Sequence, residues 1–322
     1  MRQIAFADTG EQVSELCLGT MNFGHRCDQA QSDQILGTAL DGGINFVDTA
    51  AMYGDGACET ILGNIIGDRR DDIFLTTKVH AGVDAETITS SIDDSLARLQ
   101  TDRVDLYLIH WPQLGMNPAE MMAAINVVVT AGKARYVGCS NYPAWLLAYS
   151  NAVAAREGWP RLVNNQIPYN LVERGVEVEV LPQAIYEQIA ITVYRPVLMG
   201  VLSGKYRPNE PIPEDSRGMG DERVGRWLAD YSEGIMAFLA MAEDLATTPA
   251  ALATAWVLRS PGVASAIVGV SSAVQLETTL AHSDLALTDE QYERLTGLFD
   301  TAVKEVAGGE FANLRRELAL LG

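Results

Sequence analysis

The sequence predicts a (β/α)8 (TIM) barrel, on three observations. Short apolar runs rich in β-branched residues occur at 16–20, 44–47, 73–77, 105–109, 135–139, 162–166, 191–194 and 266–269, with the length and composition of buried strands. The first seven start 27 to 32 residues apart, the length of one strand-plus-helix unit. Helical periodicity fills most of the intervals, and strict alternation of strand and helix gives a parallel sheet covered by helices. An open doubly wound sheet is the alternative, but no linker-like stretch divides the chain and eight units suit a closed barrel. The 322 residues, 48% of them hydrophobic, suffice for one large core, so 1–322 is read as a single domain.

Residues 2–6 and 12–15 flank the turn Asp8-Thr9-Gly10 and read as a β-hairpin capping the bottom of the barrel. Asp84 is placed to cap a helix whose Ile88, Ile92, Leu96 and Leu99 form one apolar face. Asn117, Pro118 and Glu120 open the next helix with a capping box and a proline in its first turn, and Gly132 closes it. The interval between the seventh and eighth strands is far longer than the others. Its Gly/Pro/Arg-rich stretch from about 200 to 230 reads as a lid loop ahead of helical segments near 232–247 and 249–259. A C-terminal helix begins at Thr288, with Gln291 completing a capping box.

A formal charge of -19, from 42 acidic and 23 basic residues, repels phosphate backbones and anionic bilayers, so neither nucleic acid nor membrane is expected as a partner. No run approaches the ~20 apolar residues of a membrane helix, and the N-terminus lacks a basic region followed by an apolar run; a soluble, cytoplasmic protein is expected. Cys17, Cys27, Cys58 and Cys139 are widely spaced and read as reduced thiols. His25, His80, His110 and His282 supply no His-x-His pair, so metal-dependent hydrolysis on the same barrel lacks a ligand set and no metal is expected.

Barrels of this kind carry their chemistry at the C-terminal ends of the strands. There the sequence places Asp48, followed closely by Tyr53; then Lys78; His110-Trp111; Ser140-Asn141; Gln166; and Tyr194. Asp48 on one strand and Lys78 on the next are placed to form an ion pair. A nearby ammonium favours the ionised form of a phenol, so Lys78 is expected to make Tyr53 a better proton donor, while His110 orients a carbonyl oxygen. Taken singly, each has a structural explanation: a helix cap for Asp48, rim groups for Tyr53 and Lys78, a bonded core histidine for His110. Their joint register favours function. Such a group stabilises an alkoxide but supplies no hydride, which a nicotinamide cofactor would have to bring.

Asp48 through Gly54, Lys78 at the end of Leu75-Thr76-Thr77-Lys78, and His110 at the end of Asp105-Leu106-Tyr107-Leu108-Ile109 resemble the catalytic motifs of aldo-keto reductases in order and spacing. The resemblance covers nearly the whole chain. It implies that Tyr53 is the general acid, that His110 orients a small-molecule carbonyl substrate, and that Lys78 and Asp48 tune the tyrosine. It further implies cofactor contacts from Thr20 and Met21 after the first strand, from Ser140, Asn141 and Gln166 to a nicotinamide carboxamide, and from Tyr194 stacked on its ring. Pro196, Gly200, Leu202, Gly204 and Lys205 would face the pyrophosphate, and Gly269, Ser271 and Gln275 the adenosine. Phe23, Trp111 and Trp227 are expected in the substrate pocket with Tyr53 and His110. No Gly-x-Gly-x-x-Gly is present to suggest a Rossmann site.

Arg195 stands where the family usually has serine, and Thr279 where it commonly has asparagine. No lysine or arginine lies from Ser260 to Glu293, where many relatives hold a 2′-phosphate. Pro213-Glu214-Asp215-Ser216-Arg217 resembles a lid segment of the branch containing potassium-channel β subunits, and Arg217 would then supply the missing cation. NADP(H) is favoured, with NAD(H) the alternative. Ala255-Trp256-Val257-Leu258-Arg259 resembles the same branch, so a nicotinamide-binding regulatory subunit is a second functional expectation beside carbonyl reduction.

Overall fold

A computed structural model of the chain describes residues 1–214 and 216–299, with the backbone alone at Arg217. Gln3–Ala5 (β1) and Gln12–Ser14 (β2) pair antiparallel as the expected hairpin. The strands Leu16–Gly19 (β3), Phe46–Asp48 (β4), Phe74–Val79 (β5), Val104–Ile109 (β6), Ala134–Ser140 (β7), Leu162–Pro168 (β8), Ala190–Tyr194 (β9) and Val263–Gly269 (β10) follow. Each pairs in parallel with the next, and β10 pairs with β3 to close an eight-stranded barrel.

Helices cover the outside: Gln29–Asp41 (α1), Ala57–Ile66 (α2), Ala85–Leu99 (α3), Pro118–Thr130 (α4), Ala144–Glu157 (α5) and Val180–Tyr186 (α6) alternate with the strands. Asp84 accepts from the Thr87 amide to start α3, and Ile88, Ile92, Leu96 and Leu99 are all buried, as their spacing requires. Asn117 caps α4 through the Ala119 amide, with Pro118 at its first position. Gly132 adopts φ 74° beyond its end, a left-handed conformation that costs glycine nothing.

The stretch from about 200 to 230 is more structured than a loop, and the helices expected near 232–247 and 249–259 are present. A short tight helix over Leu198–Ser203 precedes Glu222–Asp230 (α7), Ser232–Asp244 (α8) and Pro249–Arg259 (α9). Asp221 supplies the α7 start signal by accepting from the Arg223 amide. After β10 come Ala273–Ala281 (α10) and Asp289–Leu298 (α11), the last opened by the reciprocal Thr288–Gln291 capping box. Among the described residues no single helix is long and apolar enough to cross a membrane. The apolar α8 and α9 meet at 98°, and their Phe238, Leu239, Leu252 and Trp256 are buried.

The bottom of the barrel is sealed by apolar packing and charge. Phe6, just past β1, is fully buried, its ring 5.8 Å from Phe46 and 5.0 Å from Phe74. Burying such a side chain contributes about 2 kcal/mol. Asp105 on β6, 3% exposed, accepts from the Leu75 amide at 2.9 Å and pairs with Arg70 and Arg135, each at 2.9 Å. Arg135 also pairs with Glu11 of the hairpin. Asp105→Asn would leave both cations undercompensated, so it is expected to lower the unfolding free energy by about 3 kcal/mol in urea titrations. A loss below about 1 kcal/mol would show that this lock does not hold the hairpin to the barrel.

Candidate active site

The alternation of side chains along a strand aims the polar groups inward. On β4, Phe46 and Asp48 share a face; on β5, Phe74, Thr76 and Lys78 do, and Asp48 pairs in register with Thr76. Lys78 is completely buried and Asp48 2% exposed. The ammonium lies 2.7 and 2.8 Å from the two Asp48 oxygens, donates to the Thr49 carbonyl at 2.7 Å, and stands 3.4 Å from Tyr53 Oη. Tyr53 opens a turn in which Gly54, Asp55 and Gly56 have φ 56°, 52° and 89°. Three left-handed residues in succession reverse the chain, and two glycines make that conformation accessible. The turn brings the Tyr53 ring to 4.9 Å from Lys78 Nζ.

His110 follows β6 and donates its backbone N–H to Val79. Its ring lies edge-on to Tyr53 at 5.9 Å and stacks on Trp111 at 3.8 Å. Nδ1 is buried without a hydrogen-bond partner. Burial first, then the Lys78 and His80 charges, push the imidazole pKa down to about 2. Burial pulls Lys78 downward, but the Asp48 and Tyr53 interactions together outweigh it and hold the ammonium above its ordinary value of 10.5.

Tyr53 corrects the sequence reading. Lys78 does favour the tyrosinate, but burial outweighs it and Asp48 adds to burial, so the phenol's pKa is raised above 10.0 rather than lowered. At neutral pH the site therefore presents a protonated phenol, a neutral imidazole and a charged ammonium.

The neighbouring strand ends carry a linked polar set. Ser140 Oγ donates to the Gln166 carbonyl at 2.8 Å, and Asn141 Nδ2 donates to Ser140 Oγ at 3.0 Å and to the His110 carbonyl at 3.1 Å. Tyr194 Oη donates to Asn141 Oδ1 at 2.7 Å. Gln166 Nε2 donates to Asp48 Oδ1 at 2.9 Å, so this amide is tied to the group of four, Asp48, Tyr53, Lys78 and His110, which we call the tetrad. Thr20 donates its hydroxyl to the Asp48 carbonyl at 3.0 Å, and Met21 beside it is 39% exposed.

The rim residues divide. Trp111, 43% exposed, stands at the mouth, and Trp227 on α7 is half-buried with Arg223 over its ring. Phe23 does not line a pocket: it is 0% exposed in the core, its carbonyl accepting from Cys58 Sγ at 2.9 Å, because the loop turns its ring inward. Pro196 and Leu202 are buried, Gly200 and Gly204 have φ 96° and 80°, and Lys205 is exposed. At Gly269 an added Cβ would meet nothing within 4 Å. Ser271 donates through its amide and hydroxyl to Gln275 Oε1, a local staple across the start of α10. The Arg217 side chain and Asp215 lie outside the described residues.

Some contacts escaped the sequence reading. The Thr49 carbonyl has no side-chain signature to find. Arg195 pairs with Glu173 at 3.1 Å and lies over the Tyr194 ring at 5.2 Å. Glu59 is a carboxylate on the buried face of α2, among Cys58, Leu62, Ile65 and Ile66.

Residues 15–300 match the aldo/keto reductase family. The chain belongs to that family. Among its relatives are the uncharacterized oxidoreductase YrpG of Bacillus subtilis strain 168, 33% identical over 312 residues covering 90% of this chain and 94% of the relative, and the aldo-keto reductase YhdN of the same organism, 30% identical with 97% of each covered. A protein of Arabidopsis thaliana described as a probable voltage-gated potassium channel subunit beta is 32% identical, covering 86% of this chain and 89% of its own length. This aldo/keto reductase also has a cavity of about 250 Å³ between α6 and α11, lined by none of Asp48, Tyr53, Lys78 and His110. Its polar lining is paired internally, Tyr169 and Arg174 both donating to Glu177 at 2.8 Å, and it is a poorer candidate than the mouth.

An unfolded imidazole gains a proton below about pH 6.5, while the buried His110 stays neutral until about pH 2. The unfolded state then binds more protons, so this contribution to stability is intact above about pH 6.5 and is lost progressively as pH falls. Imidazole NMR is expected to find His110 neutral at about pH 4; titration near 6.5 would contradict the desolvated environment.

Proposed function

We propose that this aldo/keto reductase reduces aldehydes or ketones to alcohols, or runs the reverse oxidation, with Tyr53 as the proton donor. The observation that carries the reading is the fully buried Lys78–Asp48 pair with Tyr53 Oη 3.4 Å from the ammonium. A phenol held protonated at neutral pH has a proton to give, and the adjacent cation stabilises the phenolate once it is given. His110, neutral and with an unpartnered buried Nδ1 beside Tyr53, is suited to orienting a carbonyl oxygen. Gln166 and the Thr49 carbonyl hold the pair in place, and Trp111 helps exclude water.

A nicotinamide cofactor, when bound, supplies the hydride. The residues present fit one. Ser140, Asn141 and Gln166 offer a hydroxyl and two amides, and Tyr194 an aromatic face, at adjacent strand ends. Contact with a carboxamide would share or exchange the bonds these groups make with one another. Lys205 forms no ion pair among the described residues, and so is available to phosphate in a strongly acidic protein. Open surface at Gly269 leaves room for the adenosine half. NADP(H) is the favoured cofactor, with Lys205 and Arg217 as its cations.

A second reading, a nicotinamide-binding regulatory subunit, draws on the Arabidopsis relative. A carbonyl panel followed by NADPH absorbance separates the two: no turnover with any carbonyl, alongside stable partner recovery in pull-downs, favours regulation. Tyr53→Phe is expected to lower reduction at least about a hundredfold while cofactor binding changes little; wild-type turnover in that variant would remove Tyr53 from its role. Titration with NADPH and NADH is expected to give tighter NADPH binding that weakens in Lys205→Ala and Arg217→Ala. Equal affinities for the two cofactors would overturn the preference.

A further inference from the structure

Glu59 lies on α2 among Cys58, Leu62, Ile65 and Ile66 and is 0% exposed. A buried carboxylate is costly unless paired and hydrogen-bonded, and apolar residues of similar volume often replace a buried ion pair without loss. Its partners therefore bear on why a charge stands there. One oxygen accepts from Thr77 Oγ1 and the other from Arg98 Nε at 2.7 Å. Thr77 immediately precedes Lys78 on β5 and points to the opposite face, out toward the helices. Arg98, from α3, reaches Glu59 across Gly56, where an added Cβ would stand 2.8 Å from Arg98 Cδ and 2.9 Å from Nε. Gly56 ends the turn that Tyr53 begins, and α2 starts at the next residue.

We propose that Glu59 is a positioning residue: through Thr77 and Arg98 it clamps the Tyr53 turn to β5 and so holds Tyr53 Oη against Lys78 Nζ. The inference rests on the reading of Tyr53 as proton donor and extends it to a residue outside the tetrad that touches none of the reacting atoms. The tetrad geometry leaves little slack. At 3.4 Å, the Tyr53–Lys78 contact is at the outer limit of a hydrogen bond, and a further displacement of about 1 Å would break it. Anchoring Thr77 on the outer face fixes the rotation of β5 about its axis, and with it the inward aim of Lys78. Anchoring Arg98 over Gly56 fixes the other side, the path of the turn.

The test compares Thr77→Val, which removes the hydroxyl but keeps the shape, with Thr77→Ser, which restores it, and with Glu59→Gln. Ionisation of Tyr53 is read by NMR of Cζ-labelled tyrosine, assigned with Tyr53→Phe. In Thr77→Val it is expected to move to higher pH, because Lys78, which favours the tyrosinate, is no longer held against the ring. Turnover with a carbonyl substrate is expected to fall about tenfold in kcat with KM within about twofold, and Thr77→Ser to recover both readouts. If Thr77→Val merely melts earlier, with the Tyr53 titration and kcat as in the wild type, Glu59 is structural only and the proposal is wrong. Should Glu59→Gln fail to fold, the threonine pair decides alone. A wild type that reduces no carbonyl, while Tyr53 still shifts in Thr77→Val and returns in Thr77→Ser, sinks the reaction assignment and leaves the clamp standing.

Discussion

Lys78 carries an ammonium to a position with no exposure to water, and the mouth of the barrel is organised around that fact. Removing such a charge from water costs several kcal/mol even after relaxation, and the group stays ionised only if its surroundings replace the lost solvation. Asp48 supplies the counter-charge, the Thr49 carbonyl a further acceptor, and Tyr53 a third contact. Asp48 is in turn held by Gln166, and Thr20 bonds its backbone carbonyl. Side chains or carbonyls from three strand ends thus serve one buried cation on a fourth. Burial does most to keep the His110 imidazole neutral and the Tyr53 phenol protonated; the same cation reinforces the first and opposes the second.

The two ends of the barrel divide the work. At the bottom, Phe6, Phe46 and Phe74 pack ring against ring, and the Asp105 network ties the hairpin to the wall. At the top, the inward residues are polar; Asp48, Lys78 and Gln166 satisfy one another, whereas Thr76 Oγ1 and His110 Nδ1 are buried without a partner. Stability concentrated at one end leaves the other free to carry groups that are costly to bury.

Much of this was legible in the sequence because strand periodicity is a strong signal. Runs such as 73–77 read as buried strands, and once their ends are aligned, Asp48, Lys78 and His110 fall on one rim. Tyr53 joined them through a turn that Gly54 and Gly56 announce. What could not be read was environment. The direction of the Tyr53 shift depends on how completely the ring is desolvated, which no spacing encodes. Phe23 and Trp111 both sit beside loops, yet one ring turns into the core and the other out to the mouth. Gln166 reads as an amide facing a cofactor, and nothing in the sequence announces its bond to Asp48, 118 residues away. The stretch from about 200 to 230 reads as a loop because glycine, proline and arginine are frequent in it, although Asp221 and the apolar positions of α7 carry a helix signal.

Closure of the sheet has a consequence for synthesis on the ribosome. β3 is complete by Gly19, but its second neighbour, β10, does not begin until Val263. For most of translation, β3 and the most recently made strand are therefore unpaired sheet edges, the kind of surface that recruits other chains. The Asn22 side chain, which bonds the Val270 carbonyl at 2.8 Å, likewise waits some 248 residues for its partner. The architecture that gathers distant strand ends into one mouth also makes the nascent protein dependent on its eighth barrel strand, and on whatever shields those edges until it arrives.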